Sequence, residues 1–304
     1  MKVQSRRRFL IRSSGLGAAA LASTWWPRGL SANPMGRPVG IQLYTVNGPM
    51  QEDPAGTLEQ LRQIGFAEVE SAGFGKRSAK EFRKLLDDAG LACPSAHLQF
   101  DIDNLGAAFE AAHALGAAYA TSGSLPAPAA DAKPAGTKRA MSLDEAKHTA
   151  EFVNRVGAAA KRAGLQYVYH NHDFEFADQG GGAVGYDLLL RESDPELVKF
   201  EIDCGWMIFA GRNPIDYFKK YPNRFPMIHV KDFLPAQGGS PPAGGAREML
   251  GAELGHGVVD YKPIFAAAEK AGLKHYFVEQ EGPFSRMNQL QAARVDYAYL
   301  HSMS

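Results

Sequence analysis

The chain has 304 residues, of which 33 are basic and 33 acidic, so its formal net charge is zero. That balance creates no long-range field for nucleic acid and argues against such a partner. Two cysteines, Cys93 and Cys204, are too few for a disulfide framework; both fall on expected inner strands, where small buried thiols are the default.

The first residues read as an address, not as fold. Ser5, Arg6, Arg7, Arg8, Phe9 and Leu10 make a twin-arginine pattern, an Ala-rich stretch follows from Gly15 to Ser23, and Leu30, Ser31 and Ala32 offer small residues for cleavage. The apolar part is far shorter than the roughly 20 residues of a membrane span. Residues 1–32 are therefore expected to be a Tat signal, read by the Tat export machinery, and residues 33–304 a periplasmic single domain. The Tat route carries folded proteins, which suits an enzyme loaded with metal before export.

Beyond residue 32 one punctuation recurs. A helical stretch ends in glycine and an apolar strand follows, at Gly65, Gly90, Gly116, Gly164 and Gly272. Glycine fits the left-handed position that closes a helix. Repeated helix–Gly–strand units mean alternating α and β, hence a parallel sheet. The expected strands are Val39–Tyr44, Ala67–Glu70, Ala92–His97, Tyr119–Ser122, Tyr167–His172, Lys199–Asp203, Met227–Lys231 and Tyr276–Glu279. Eight strands close a (β/α)8 barrel, an α/β fold. An amphipathic helix is expected over Leu143–Ala163, with Ala146, Ala150, Val153 and Val156 on one stripe. Two inserts, Leu125–Ala140 and Leu234–Gly257, leave the C-terminal ends of strands, where lids over a barrel site would stand.

Four of these strands carry a metal-type ligand at the close of a short apolar run: His170, Asp203, His229 and Glu279. Side chains at strand ends are rigidly held, as a divalent ion requires. A lone strand-end aspartate is usually a loop cap and a lone histidine a satisfied core residue. One per strand on four strands makes those readings improbable together. Asp203, His229 and Glu279 form the strongest set. The fourth ligand stays open among His170, His172 and Glu175 in the segment YHNHDFEF; Glu175 lies just past the strand and is placed to turn back to the metal. Carboxylate and imidazole without thiolate suit Mn²⁺, Mg²⁺, Co²⁺ or Zn²⁺. Gln42, Tyr44, Glu70 and His97 close the first three strands and are expected around substrate. Trp206 would form an apolar wall against a sugar ring, and Lys231 should face the same way as His229. His97 and Lys231 beside a metal could handle protons.

At these residues the chain resembles the xylose isomerase-like TIM-barrel family, also called the sugar phosphate isomerase/epimerase or AP endonuclease 2 family. The motifs are GIQLYT at 40–45, SAHL at 95–98, YHNHDFEF at 169–176, EIDCGW at 201–206, HVKD at 229–232 and FVEQ at 277–280. Its ketose epimerases bind one Mn²⁺-type ion through Glu, Asp, His and Glu on successive strands. Asp203, His229 and Glu279 match the last three, while the first falls nearest His170, and Trp206 stands where His is frequent. The resemblance implies one divalent ion, Mn²⁺ first, and proton transfer next to a carbonyl. Glu279 would act with His170, His172 or Glu175 as its partner, and Lys231 beside them. Epimerisation or isomerisation of a sugar or keto-sugar is the expected activity. Sugar phosphates are scarce outside the cytoplasm, so a non-phosphorylated substrate is expected. Two alternatives stay open: a metal-dependent lyase or dehydratase on 3-keto-glycosides or inosose-like polyols, and a non-catalytic periplasmic sugar-binding protein. The oligomeric state is also open.

Overall fold

A computed structural model of the chain describes residues 33–123, 140–235, 249–284 and 286–303. The expected export signal lies outside them, as do the Leu125–Ala140 insert except for its last residue and the middle of the second insert.

The strands are β1 (Gly40–Gln42), β2 (Glu68–Ala72), β3 (Ala92–Leu98), β4 (Tyr119–Ser122), β5 (Gln166–His170), β6 (Val198–Asp203), β7 (Met227–Val230), β8 (Asp232–Phe233), β9 (Gly251–Ala252) and β10 (His275–Val278). All but β8 and β9 pair in parallel into a closed barrel of order β1-β10-β7-β6-β5-β4-β3-β2. The helices are α1 (Asn47–Glu52), α2 (Pro54–Ile64), α3 (Ala79–Ala89), α4 (Leu105–Leu115), α5 (Leu143–Arg162), α6 (Gly185–Glu192), α7 (Cys204–Phe209), α8 (Pro214–Lys220), α9 (Tyr261–Lys270) and α10 (Gln289–Ser302). This is the expected eight-stranded α/β barrel.

Local sequence explains the alternation. Gly65, Gly90, Gly116, Gly164 and Gly272 all take positive φ, from 70° to 128°, where a side chain would be strained. Ser78 with Glu81, and Ser142 with Glu145, form capping boxes that start α3 and α5. The α5 stripe of Ala146, Ala150, Val153 and Val156 is buried, as its spacing predicts.

Three local expectations need correction. The first strand ends at Gln42 instead of Tyr44, because the Gln42 side-chain oxygen accepts the Tyr44 N–H and starts a 3₁₀ turn over Leu43–Val46. The fifth strand ends at His170 instead of His172. There the Glu175 carboxylate accepts the His172 N–H and turns the chain, while Asn171 accepts the Asp203 N–H. Cys204 opens α7 and does not belong to a strand. Both cysteines are buried and unpaired.

The second insert follows β8 and contains β9, and the two pair as a two-stranded antiparallel sheet. Its anchor is Asp232, almost fully buried. One carboxylate accepts the N–H groups of Phe233, Gly255, Gly257 and Val259, at 2.9 to 3.1 Å. Nearby, Asp296 of α10 accepts the Leu254 N–H through one oxygen, and its other oxygen makes no hydrogen bond.

Burial pushes the Asp296 carboxyl up to about 8, with Glu253 and Asp232 adding to the rise against the Leu254 hydrogen bond. An acid raised in the folded state holds its proton there after the unfolded chain has lost it. Its contribution to stability is therefore whole below about pH 4 and falls as pH rises towards 8. Asp296→Asn removes that loss, so urea unfolding from pH 5 to 9 should show a flatter stability profile than wild type. An unchanged slope would remove Asp296 as its source.

Candidate active site at the C-terminal mouth of the barrel

Register brings the ligand-type residues side by side. Gln42 pairs with Glu70, Glu70 with Ser95, His170 with Glu201, and Asp203 with His229. Barrel interiors are usually filled with branched apolar side chains. Here the upper interior is polar, with Glu70, Ser95, His170, Glu201, Asp203 and His229 all buried.

Glu201 is the hub. Its Oε2 lies 3.2 Å from His97 Nε2, His170 Nδ1 and His229 Nε2. Glu70 supports this layer from below. One oxygen accepts the Ser95 hydroxyl at 2.5 Å; the other accepts from Gln42 at 3.0 Å and meets His229 Nε2 at 2.7 Å and His97 Nε2 at 3.0 Å. Burial works against charge on all these groups. For Glu201 it is outweighed by His229, His170 and His97, which hold the carboxyl well below the usual range. Burial likewise opposes charge on His97, but Glu70 and Glu201 raise it to about 9. His170 goes the other way: burial, then His229 beside it, bring it down to about 4, leaving a neutral ring with a lone pair.

A second cluster adjoins the first through His229. His229 Nδ1 lies 3.0 Å from Glu279 and 3.8 Å from Asp203. The Lys231 ammonium, fully buried, sits 2.9 Å from Asp203, 2.8 Å from Glu279 and 2.5 Å from Glu281. It also lies 5.0 Å from the Trp206 ring centre, while Trp206 donates its indole N–H to Glu281. Asp203 has two tasks. Its Oδ1 caps α7 by accepting the Trp206 backbone N–H, and its Oδ2 faces Lys231 without forming a hydrogen bond. Burial raises Asp203 to about 6, with Lys231 pulling it down.

These residues fit a divalent cation. Donor atoms of His97, His170, Glu201 and His229 lie within 4.8 Å of one another, and so do those of His170, Asp203, His229 and Glu279. Two buried atoms of the cluster, His170 Nδ1 and Glu201 Oε1, have no hydrogen-bond partner. Buried polar atoms seldom stay unpaired. Imidazole and carboxylate without thiolate suit Mg²⁺, Mn²⁺, Co²⁺ or Zn²⁺.

Beside the cluster opens a cavity of about 710 Å³, lined by the polar Gln42, His97, His170, His172, Glu279 and Glu281 and by the apolar Phe74, Leu98 and alanines of α4. Among the described residues lining it there is no arginine or lysine.

The residues expected from sequence distribute as follows. Asp203, His229 and Glu279 come together, with His170 beside them. Lys231 joins through its ammonium. His172 stands in the turn after β5, its ring 5.1 Å from that of His170; burial lowers it to about 3. Gln42 and Glu70 are spent on the hydrogen bonds of the barrel interior, whereas His97 reaches the cavity and Tyr44 stands half-exposed at its rim. Trp206 packs on Lys231. Glu175 is a correction: it does not turn back to a metal. Its carboxylate accepts the Tyr169 hydroxyl and the His172 N–H, and it belongs to neither donor group. Two residues were not anticipated. Glu201 stands two before Asp203 on one strand, so alternation sends both inward. Glu281 lies past the end of β10, where no periodicity applies.

Lys231 reaches the site along Gly205. A Cβ at Gly205 would lie 2.8 to 3.1 Å from three carbons of the Lys231 stem. Gly205→Ala should therefore cost about 1–3 kcal/mol in urea unfolding, as overpacking does, and displace the ammonium from Asp203 and Glu279. A variant as stable as wild type would show that the stem yields freely.

Comparison with known proteins agrees with this architecture. Residues 58–301 match the family model described as xylose isomerase-like TIM barrel. An inosose dehydratase of Lacticaseibacillus casei is 28% identical over 167 residues, 52% of this chain and 54% of that protein. An inosose dehydratase of Clostridium tetani is 30% identical over 171 residues, 49% and 52% of the two chains. The chain thus spans about half the length of the curated relatives it matches. A sugar phosphate isomerase/epimerase from Parabacteroides distasonis superposes with a TM-score of 0.69 at 26% identity, over 87% of this chain and 94% of its own. A magnesium complex of a Mycobacterium smegmatis protein with a xylose isomerase-like barrel shares the fold at TM-score 0.63 and 19% identity, over 90% and 98%. With most of its length matched and the barrel in place, the chain belongs to the xylose isomerase-like TIM barrel family.

Proposed function

We propose that this chain is a divalent-cation-dependent enzyme that removes a proton next to a carbonyl on a non-phosphorylated sugar, keto-sugar or related polyol. The observation that carries this reading is the convergence of two overlapping donor groups on His170 and His229, with His97 and Glu201 on one hand and Asp203 and Glu279 on the other, beside an open cavity and with Lys231 among them. A bound ion supplies polarisation of the carbonyl and its neighbouring hydroxyl. Glu279 lines the cavity and is the base, oriented by His229 at 3.0 Å and Lys231 at 2.8 Å. The Lys231 ammonium offsets negative charge that develops beside it. His172, which also lines the cavity, is the second proton-transfer group. Among the described residues the cavity lining holds no arginine or lysine, which supports a substrate lacking phosphate.

Return of the proton to the same carbon on the other face gives an epimer; return to the neighbouring carbon gives an isomer. A second reading is favoured by the similarity to inosose dehydratases: a β-hydroxyl leaves as water after the same first step. The twin-arginine pattern supports action in the periplasm, and periplasmic fractionation of the full chain against an Arg6→Lys, Arg7→Lys variant checks this; equal distribution of the two would refute it.

Incubation of the Mn²⁺-loaded protein with keto-sugars and inososes in D₂O should place deuterium beside the carbonyl, read by NMR. Glu279→Gln should slow this about 10²- to 10⁴-fold. Deuterium in a rearranged sugar marks an isomerase or epimerase, whereas water loss with a new enone absorbance marks a dehydratase. No exchange with any of these compounds would overturn the reading and favour a sugar-binding protein.

A further inference from the structure

Two donor groups overlap in this site and share His170 and His229. The inner group adds His97 and Glu201; the outer adds Asp203 and Glu279. The resemblance to ketose epimerases points to the outer carboxylates. This chain's own geometry points elsewhere, for three reasons.

The first is charge. The outer carboxylates already hold a cation, because the buried Lys231 ammonium lies 2.9 Å from Asp203 Oδ2 and 2.8 Å from Glu279 Oε2. A dication between the same oxygens would stand against that ammonium in a dry interior, where like charges repel strongly. No lysine or arginine approaches Glu201 among the described contacts; its neighbours are three imidazoles, whose ring nitrogens become ligands once they release a proton.

The second is spacing. Ligand atoms on one ion, bonded at about 2.0–2.1 Å in a tetrahedral array, stand about 3.3 Å apart. His97 Nε2, His170 Nδ1 and His229 Nε2 each stand 3.2 Å from Glu201 Oε2. In the outer group the His229 donor is 3.0 Å from Glu279 but 3.8 Å from Asp203, a less even set.

The third is hydrogen bonding. His229 Nε2 and His97 Nε2 have Glu70 Oε2 as a second partner, at 2.7 and 3.0 Å, whereas His170 Nδ1 faces Glu201 without it. His170 Nδ1 and Glu201 Oε1 are buried with no hydrogen-bond partner. Both are satisfied if a cation takes the place of the missing protons. His229 can serve this group through Nε2 while Nδ1 keeps its contact with Glu279.

We propose that the divalent cation binds the inner group, with Glu201 and His97 as ligands beside His170 and His229, and that Lys231 is a standing ammonium that keeps Asp203 and Glu279 out of the coordination sphere. Glu279 is thereby left free for proton transfer. This rests on the reading that the site takes a divalent ion, and assigns which residues of this chain hold it.

The test is Mn²⁺ titration by calorimetry on the metal-stripped full chain, with Glu201→Gln, His97→Gln and Glu279→Gln beside wild type. Glu201→Gln and His97→Gln should weaken binding by at least about tenfold, and Glu279→Gln should stay within about threefold of wild type. A pulsed electron paramagnetic resonance count of imidazole nitrogens on Mn²⁺ in wild type needs no variant to fold: three mark the inner group, two the outer. Two nitrogens, or a loss confined to Glu279→Gln, overturn the inner placement and leave the proton-transfer reading standing. Failure of wild type to bind Mn²⁺, Co²⁺ or Zn²⁺ overturns both.

Discussion

The interaction on which this barrel depends is the contact of the Glu201 carboxylate with three imidazoles in a space that excludes water. Removing one ion from water costs several kcal/mol even after relaxation, and the whole margin of a folded domain is about 5–15 kcal/mol. Glu70, Glu201, Asp203, His229 and Lys231 are all buried together. Such a group can exist only if each charge faces an opposite one, so its members cannot be considered singly. Glu70 links the floor to this set, because Gln42, Ser95, His97 and His229 all reach its carboxylate. Loss of any one member leaves a neighbour uncompensated, which costs more than the lost contact itself.

Backbone register does the placing. The His170–Glu201 and Asp203–His229 pairs are direct neighbours across parallel strands, so their approach follows from the ladder and needs no loop. The outer carboxylates are held differently. Glu279 and Glu281 follow the end of β10, and Lys231 follows β7; their positions depend on one another and on Trp206. Asp203 ties the two regions together because one of its oxygens starts α7 while the other faces the ammonium.

Much of this was legible in the sequence, and the exceptions have physical causes. Five of the strands were visible because glycine closes the preceding helix immediately before an apolar run, the other three as apolar runs alone, and all eight barrel strands fall within a few residues of the expected places. Strand ends were less legible, since they are set by side-chain hydrogen bonds such as Gln42 to Tyr44 and Glu175 to His172. Asp203, His229 and Glu279 stood out because each closes an apolar run. Glu201 lies inside such a run and is easily passed over, although its two-residue offset from Asp203 carries the signal. Glu175 shows the opposite failure: a carboxylate near a strand end in sequence, turned by the chain towards Tyr169. The membership of Glu281 is a matter of tertiary contact alone.

Gly205 and Lys231 are far apart in sequence, yet they occupy one space, because the lysine stem fills the volume a side chain at 205 would need. Neither residue can drift by itself. A lineage of this fold that replaced the glycine first would have its ammonium driven off the carboxylates before any new chemistry could be selected. One that gave up the lysine first would leave two buried carboxylates facing each other. On this geometry a change at either position bears directly on the other.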